Sequence, residues 1–526
     1  MAARTWIAVV LACVVWFTYV QWFAPPMPKP GASPSTAQQP SNTTSPATPV
    51  AMAQESFSTE LPKAIAVHTI PNGKLEIEFS SAGGRISDAA VLGYRETIQK
   101  DAPYIRPVRR EQSGYNLSTL FSDASLKEFG NEIYQGIATS DGYRFTRENK
   151  TARVTKTFKV EPDSHFIKSD ILIAVKDAKQ QNLGVLYMPL GGTGFKFDAN
   201  NPLEGWQVTA YQNETLTRKT VDQLTEGETL LQGNSHWVGF GNRYFATVLI
   251  NDSALNPDIV LVKKGGFEGA FLRYPLNVKP DQKEIALSVR IFVGPKDYSV
   301  LSTVPGLRQM IDYGTFSFLA YPLLELLRFF YRFIHNYGIA IILLTILVRL
   351  LFYPLSVKSA KSMKAMQKLQ PQIAAIKEKY KDEPQRFNQE QMALFKAHKV
   401  NPLGGCLPML IQLPVFFALY AVLGNSIELF HAPFFGWVQD LSGKDPFYVF
   451  PILMGISMFV QQKMTPMAGM DPAQQKMMMF MPIVFSFIMI SLPSGLTVYI
   501  FLSTLFGIGQ QLLINRSFPG ATASTA

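Results

Sequence analysis

The chain has 526 residues, 47% of them apolar, and a formal net charge of +10. Its apolar residues are not spread over several cores, as in a soluble chain of this length, but concentrate at 6–23 and again from about 338 to 514, around a more polar block. That distribution points to a membrane protein with one large soluble domain. The polar block lacks cysteine, which excludes a disulfide framework or cysteine metal site there; Cys13 and Cys406 both fall in apolar segments.

The first element in chain order is the run WIAVVLACVVWFTYVQWF (6–23), with Arg4 before it. A cleavable signal peptide is one reading. Trp6, Trp16, Tyr19 and Trp22 fit interface anchors instead, and prolines follow where a small-residue cleavage site would stand. Residues 1–24 are therefore expected to be a retained transmembrane anchor. Residues 25–56, rich in Pro, Ser, Thr and Ala, cannot bury enough apolar surface to fold and read as a flexible linker.

From 57 to 304 the pattern alternates with period two. KLEIEFSS (74–81) puts Leu75, Ile77 and Phe79 on one face, and SDILIAVKD (169–177), RYFATVLIND (243–252) and EIALSVRIFVG (284–294) behave alike. Many short strands predict an all-β sandwich. Residues 305–337 follow as an interfacial region: in YPLLELLRFFYRFIHN (321–336), Glu325, Arg328, Arg332 and His335 share one helical stripe, which suits a helix lying in the membrane surface.

The remaining apolar runs predict spans at 338–355, 403–427, 447–462, 477–492 and 495–514, the last four within a 401–514 block. The loop 356–400 holds ten Lys/Arg against four acids, net +6, and reads as a helical hairpin broken at KDEP (381–384). Its stripe of Met363, Met366, Leu369, Ile373, Ile376 and Tyr380 would pack the hairpin together. Loop 428–446 carries three acids against one lysine. The positive-inside rule places the basic loop, both termini and the short tail 515–526 in the cytoplasm, and the β domain outside.

TILVRLLFYPL (345–355) sets Arg349 in an apolar run, at a cost of about 2.5–3.5 kcal/mol for a mid-helix arginine. Thr345, Arg349, Tyr353 and Ser356 form one polar stripe. No other expected span holds an acid or base, so an ion pair between spans is excluded. The guanidinium either snorkels to the cytoplasmic interface or faces a hydrated cavity with polar neighbours such as Gln412, Ser486 or Thr497. The absence of an intramembrane acid argues against coupled transport, but an anion channel or transporter using Arg349 remains open. The six histidines all precede the span at 447–462, so Ser494 has no histidine partner in the last three helices, and no catalytic or metal-binding pattern stands out. Ten of the 19 methionines fall within 454–489, an adaptable surface for apolar partners or ordinary packing.

Taken together, VRLLFYPL, KVNPLGGCLPMLIQLPVFFALY (399–420), DPFYVFPILMG (445–455), DPAQQKMMMFMP (471–482) and LPSGLTVY (492–499) closely resemble the YidC membrane protein insertase family of the Gram-negative type. The resemblance implies an α-helical membrane protein of six transmembrane helices, five of them forming a groove-bearing core, plus an all-β periplasmic supersandwich domain. It implies a non-enzymatic insertase and chaperone of the bacterial inner membrane, without cofactors, acting alone or with the Sec translocon (SecYEG and SecDF). Arg349 would be the groove arginine, and Gln412 and Tyr499 would line the groove beside it. Nascent membrane proteins would be the clients, and the hairpin would meet the ribosome and the signal-recognition-particle receptor.

Overall fold

The computed structural model describes residues 67–109, 116–130, 132–176, 182–193, 205–277, 283–381, 383–398, 400, 407–464 and 472–517. The expected N-terminal anchor, the linker and the end of the tail lie outside these residues.

The expected sandwich is present. A four-stranded antiparallel sheet runs in the order β1 (Val67–Pro71), β2 (Leu75–Ser80), β3 (Arg85–Arg95), β4 (Tyr104–Val108). The other strands are β5 (Leu120–Phe121), β6 (Gln135–Thr139), β7 (Gly142–Glu148), β8 (Ala152–Val160), β9 (Phe166–Val175), β10 (Asn182–Thr193), β11 (Gln207–Gln212), β12 (Thr215–Thr220), β13 (Gly227–Leu231), β14 (Ser235–Gly241), β15 (Phe245–Asn251), β16 (Asp258–Lys264), β17 (Phe267–Asn277) and β18 (Glu284–Pro295). They form a five-stranded sheet, β13-β16-β17-β10-β5, and a nine-stranded one, β12-β11-β14-β15-β18-β9-β8-β7-β6.

Period-two patterning builds the core as expected: Leu75, Ile77 and Phe79 of β2 and Ile285, Leu287, Val289 and Ile291 of β18 are all buried. β15 departs from alternation, with Phe245 through Ile250 all buried. The reason is double coverage. Phe245 and Leu249 join the sandwich core, whereas Ala246, Val248 and Ile250 pack with Leu301, Val304 and Leu307 and with the helices beyond, so both faces exclude water.

A one-turn helix, α1 (Tyr298–Leu301), leads to α2 (Ser317–Ile334) and then to the 32-residue α3 (Tyr337–Lys368). Asn336 caps α3, its side chain accepting from the Ile339 amide at 3.0 Å. Next come α4 (Gln370–Lys379) and α5 (Pro384–Ala397), which pack through Leu369, Ile373 and Phe395. This is the expected hairpin, except that α3 runs on into its first limb as far as Lys368, continuous through Pro354. The rest is α6 (Leu407–Asn425), α7 (Val449–Met464), α8 (Pro472–Met489) and α9 (Ser494–Ser517).

Among the described residues, two helices are long and apolar enough to cross a membrane, Tyr337–Lys368 and Ser494–Ile514; the apolar stretches Gln412–Asn425 and Met477–Met489 are shorter. Large side chains such as Phe329, Leu351, Ile456, Phe480 and Phe487 stand exposed on the helices, a surface suited to lipid rather than water.

Candidate functional site

Arg349 lies near the middle of α3, half-buried. Its guanidinium donates to Ser503 Oγ on α9 through Nε at 3.2 Å and Nη2 at 2.7 Å. One turn earlier on α9, the buried Tyr499 accepts from Gln412 Nε2 of α6 at 3.4 Å. One turn later, a Cβ at Gly507 would stand 2.5 Å from Gln461 Nε2 of α7 and 3.6 Å from Arg349 Nη1. Residues 499, 503 and 507 repeat every four residues and so share one face of α9. The missing side chain at 507 lets α7 and the arginine approach that face together. Four helices thus converge on a charge whose described hydrogen-bond partner is a neutral hydroxyl, and among the described residues no carboxylate pairs with it.

Arg349 also borders an open cavity of about 570 Å³ between α3 and α9. Tyr353 lines it one turn further along α3, with Leu350, Phe506 and Leu513 supplying apolar walls and Arg516 a second cation. Residues 503 and 516 are separated by about 20 Å along the helix, so the charges sit toward opposite ends. Gln510 also lines the space, and its buried Nε2 has no hydrogen-bond partner.

The other expected site residues are placed differently. Thr345 is buried and donates to the Ile341 carbonyl at 2.7 Å. Thr497 is buried and donates to the Ser494 carbonyl at 2.9 Å. Ser486 on α8 donates to the Pro482 carbonyl at 2.8 Å and packs against Gly455 of α7. Each hydroxyl is spent on its own helix. Arg349, Gln412, Tyr353 and Tyr499 come together; Thr345, Thr497 and Ser486 do not join them. Ser503, Gly507 and Gln461 were not anticipated, although stepping by four from Tyr499 reaches the first two.

The end of the bundle nearer the β domain is closed by the loop after α6. Asn336 Nδ2 donates to the Phe434 carbonyl at 3.0 Å, and the Phe434 ring fills the space that a side chain at Gly338 would need, 1.9 Å from its Cβ position. Asp445, fully buried, accepts from Trp437 Nε1 at 3.0 Å and from the Phe450 amide at 2.8 Å. Ser494 Oγ reaches the Asp440 carbonyl at 2.7 Å, and the Gly495 amide reaches Leu441 at 2.9 Å. The loop is tied to the starts of both α3 and α9.

Beside this cap, Arg328 of α2 contacts Asp297 at 3.0 Å, Glu428 at 2.9 Å and Glu325 at 3.5 Å. Burial raises the pKa of Glu428, with Arg328 opposing. Asp297 is also desolvated, but hydrogen bonds from Ser299 and the Arg328 charge hold its pKa below the usual value. Arg328 therefore joins the end of the β domain, α2 and the cap. Among the described residues, no group of His, Cys, Asp or Glu could hold a metal ion.

Two family descriptions tile the chain: "YidC periplasmic domain" matches residues 68–326, and "60Kd inner membrane protein" matches residues 329–521. The membrane protein insertase YidC of Pelobacter propionicus is 38% identical, over 98% of this chain and 99% of its own. That of Geobacter metallireducens is 36% identical, over 99% and 100%. A solved structure described as an active YidC insertase with its first transmembrane domain resolved aligns over 88% of this chain and 96% of its own, at 19% identity and a TM-score of 0.37. A β domain and a helical part matched separately, with full-length relatives above 30% identity, establish that the chain belongs to the YidC membrane protein insertase family.

Proposed function

We propose that the protein inserts membrane proteins into the bacterial inner membrane and helps them fold, using the space beside Arg349 as a hydrophilic groove. The observation that carries this reading is a guanidinium bonded to the neutral Ser503 at the edge of an open cavity. Such a charge attracts acidic groups in the polar tail of a client and keeps water in the groove. The hydrophobic path that the tail must cross is shortened. The client's apolar helix meanwhile has exposed Phe480, Met481 and Phe487 on α8 to lie against before it enters lipid.

The cap over the outer end supports a one-sided groove rather than an anion pore. The topology that fits is six spans, with both termini cytoplasmic and the β domain in the periplasm, because the basic loop 356–400 then lies inside. The same loop is the surface we assign to the ribosome and to the signal-recognition-particle receptor. The β domain is the surface we assign to the Sec translocon.

Protease protection of a short single-spanning client in liposomes holding the purified protein tests the groove. With an acidic client tail, Arg349→Ala should cut protection at least tenfold and Arg349→Lys much less, while a neutral tail should be affected little. Equal losses for both tails would remove the electrostatic role. Anion leakage without protection would favour a channel.

A further inference from the structure

The nine-stranded sheet ends in an edge strand that, among the described residues, lacks the usual protection. β6 pairs with β7 alone among the described strands, and Gln135, Gly136, Ile137 and Ala138 are all exposed. Natural edge strands are guarded by charges, prolines, bulges or covering segments. The opposite edge, β12, follows that rule: it carries Arg218 and Lys219, and Arg218 is pinned to Asp312 and to the Gln309 carbonyl. β6 reads QGIAT, without charge or proline, pairs in unbroken register, and leaves Ile137 68% exposed.

A polar cavity of about 910 Å³ begins beside this edge. Its floor is the open face of β6 to β9, in cross-strand rows. One row is Gln135, Thr146, Thr155 and Leu172; the next is Arg144, Thr157 and Asp170, with Ile137 beside Arg144 on β6 and outside the cavity lining. The opposite face carries Phe145, Val154, Phe158 and Ile171 into the core. The cavity's charges are unequally committed. Arg153 is 2.6 Å from Glu148, Arg147 is 3.4 Å from Glu132, and Asp170 accepts from Ser288. Arg144 is exposed and makes no ion pair or hydrogen bond with any described residue.

We propose that β6 is a docking edge for an extended, acidic segment of a partner protein, which adds as a further strand. Main-chain hydrogen bonds to the free edge supply affinity, and alternate side chains over the cavity supply specificity. A carboxylate on the added strand lies two strand spacings from Arg144, about 10 Å between backbones, within the combined reach of a glutamate and an arginine. The stem of that same side chain lies against Ile137, which stands between the added strand and Arg144 in the same row. The chain's own residues 1–66 are a poor occupant, with two acids (Glu55, Glu60) against three bases (Arg4, Lys29, Lys63).

The test uses the full chain in detergent and a fluorescent eight-residue peptide alternating Glu and Val, with a Lys–Val peptide as control, read by anisotropy. The Glu–Val peptide should bind saturably and the control should not. Arg144→Glu and Ile137→Glu, both exposed substitutions, should each weaken binding at least tenfold without moving the unfolding midpoint, whereas Arg144→Lys should retain it. Equal binding of both peptides, or no change in either weakening variant, would overturn the proposal. If deleting residues 40–60 tightened binding tenfold, the chain's own segment would be the occupant and the partner assignment would fail.

Discussion

Single residues carry the clearest physical signals in this chain. Lys156 of β8 is 1% exposed. Its ammonium donates to the Gly83 carbonyl and lies 4.6 Å from the centre of the Tyr134 ring. Burial, with Arg85 nearby, pushes its pKa down to about 7; Lys296, equally enclosed, is pushed down to about 7 as well. The unfolded chain keeps these protons up to about pH 10.4, so above pH 7 it binds more protons than the native state. Stability must then rise with pH, by about 1.4 kcal/mol per unit for each lysine. The unfolding midpoint of the protein should climb between about pH 7.5 and 9.5, and Lys156→Met should remove roughly half of the slope. A falling midpoint over that range would contradict the burial of both amines. The alternation in ARVTKTFKV puts Lys156 on the same face as Val154 and Phe158, although its burial was not anticipated. Arg349 was legible, as a charge among apolar residues. Ser503 was not, because a hydroxyl on a helix satisfies itself as readily as a neighbour, and Thr345, Thr497 and Ser486 do just that.

At the scale of elements, α2 shows how far a periodic pattern reaches. Its stripe of Glu325, Arg328, Arg332 and His335 predicts a helix with one polar side, and the exposed Phe318, Phe329 and Phe333 suit a membrane surface. The stripe could not reveal that Arg328 is drawn inward by Asp297 and Glu428, which come from distant parts of the chain. Removing one partner of a buried ion group costs about 3–5 kcal/mol, because the other charge is left desolvated. Arg328→Met should lower the unfolding midpoint by that measure, and adding Glu428→Gln should recover much of the loss. Additive losses in the double variant would show that the two groups act independently. The cap gives a second test. Gly338→Ala must displace the Phe434 ring, at about 1–3 kcal/mol for overpacking, and hydrogen exchange at the amides of 431–445 should accelerate. Unchanged exchange would mean that the ring does not hold the loop.

For the whole molecule, the division into a β domain and a helical part was readable from composition, and the four stretches marked by alternation are strands, but α3 runs to Lys368 rather than ending at 355. Their joint was not readable, because it depends on contacts far apart in sequence. Ile427 and Phe430, from the loop after α6, enter the sandwich core; Phe430 lies 5.0 Å from Tyr244 and 5.4 Å from Phe245 between ring centres. Tyr244 also donates to the Gly424 carbonyl at 3.1 Å. Deleting most of residues 57–304 would therefore strip cover from the cap as well as remove a domain. The truncated protein should insert clients weakly and unfold early, and replacing Phe430 and Ile427 with polar residues should restore part of its solubility. Full activity in the simple truncation would show that the cap is self-sufficient.

α3 joins the cap, the central charge and the basic hairpin in one 32-residue helix, about 48 Å from end to end. A helix of that length transmits displacement as a rod does, except at Pro354, which lacks the amide that would hold the carbonyl of Leu350. The compliant joint thus falls one residue from Arg349. A load on the hairpin, such as a docked particle pressing on Leu369 and its neighbours, would bend the rod there and swing the guanidinium relative to Ser503. The hairpin then acts as a handle for the charge, coupling displacement at one end of the helix to the aim of the Arg349 guanidinium near its middle.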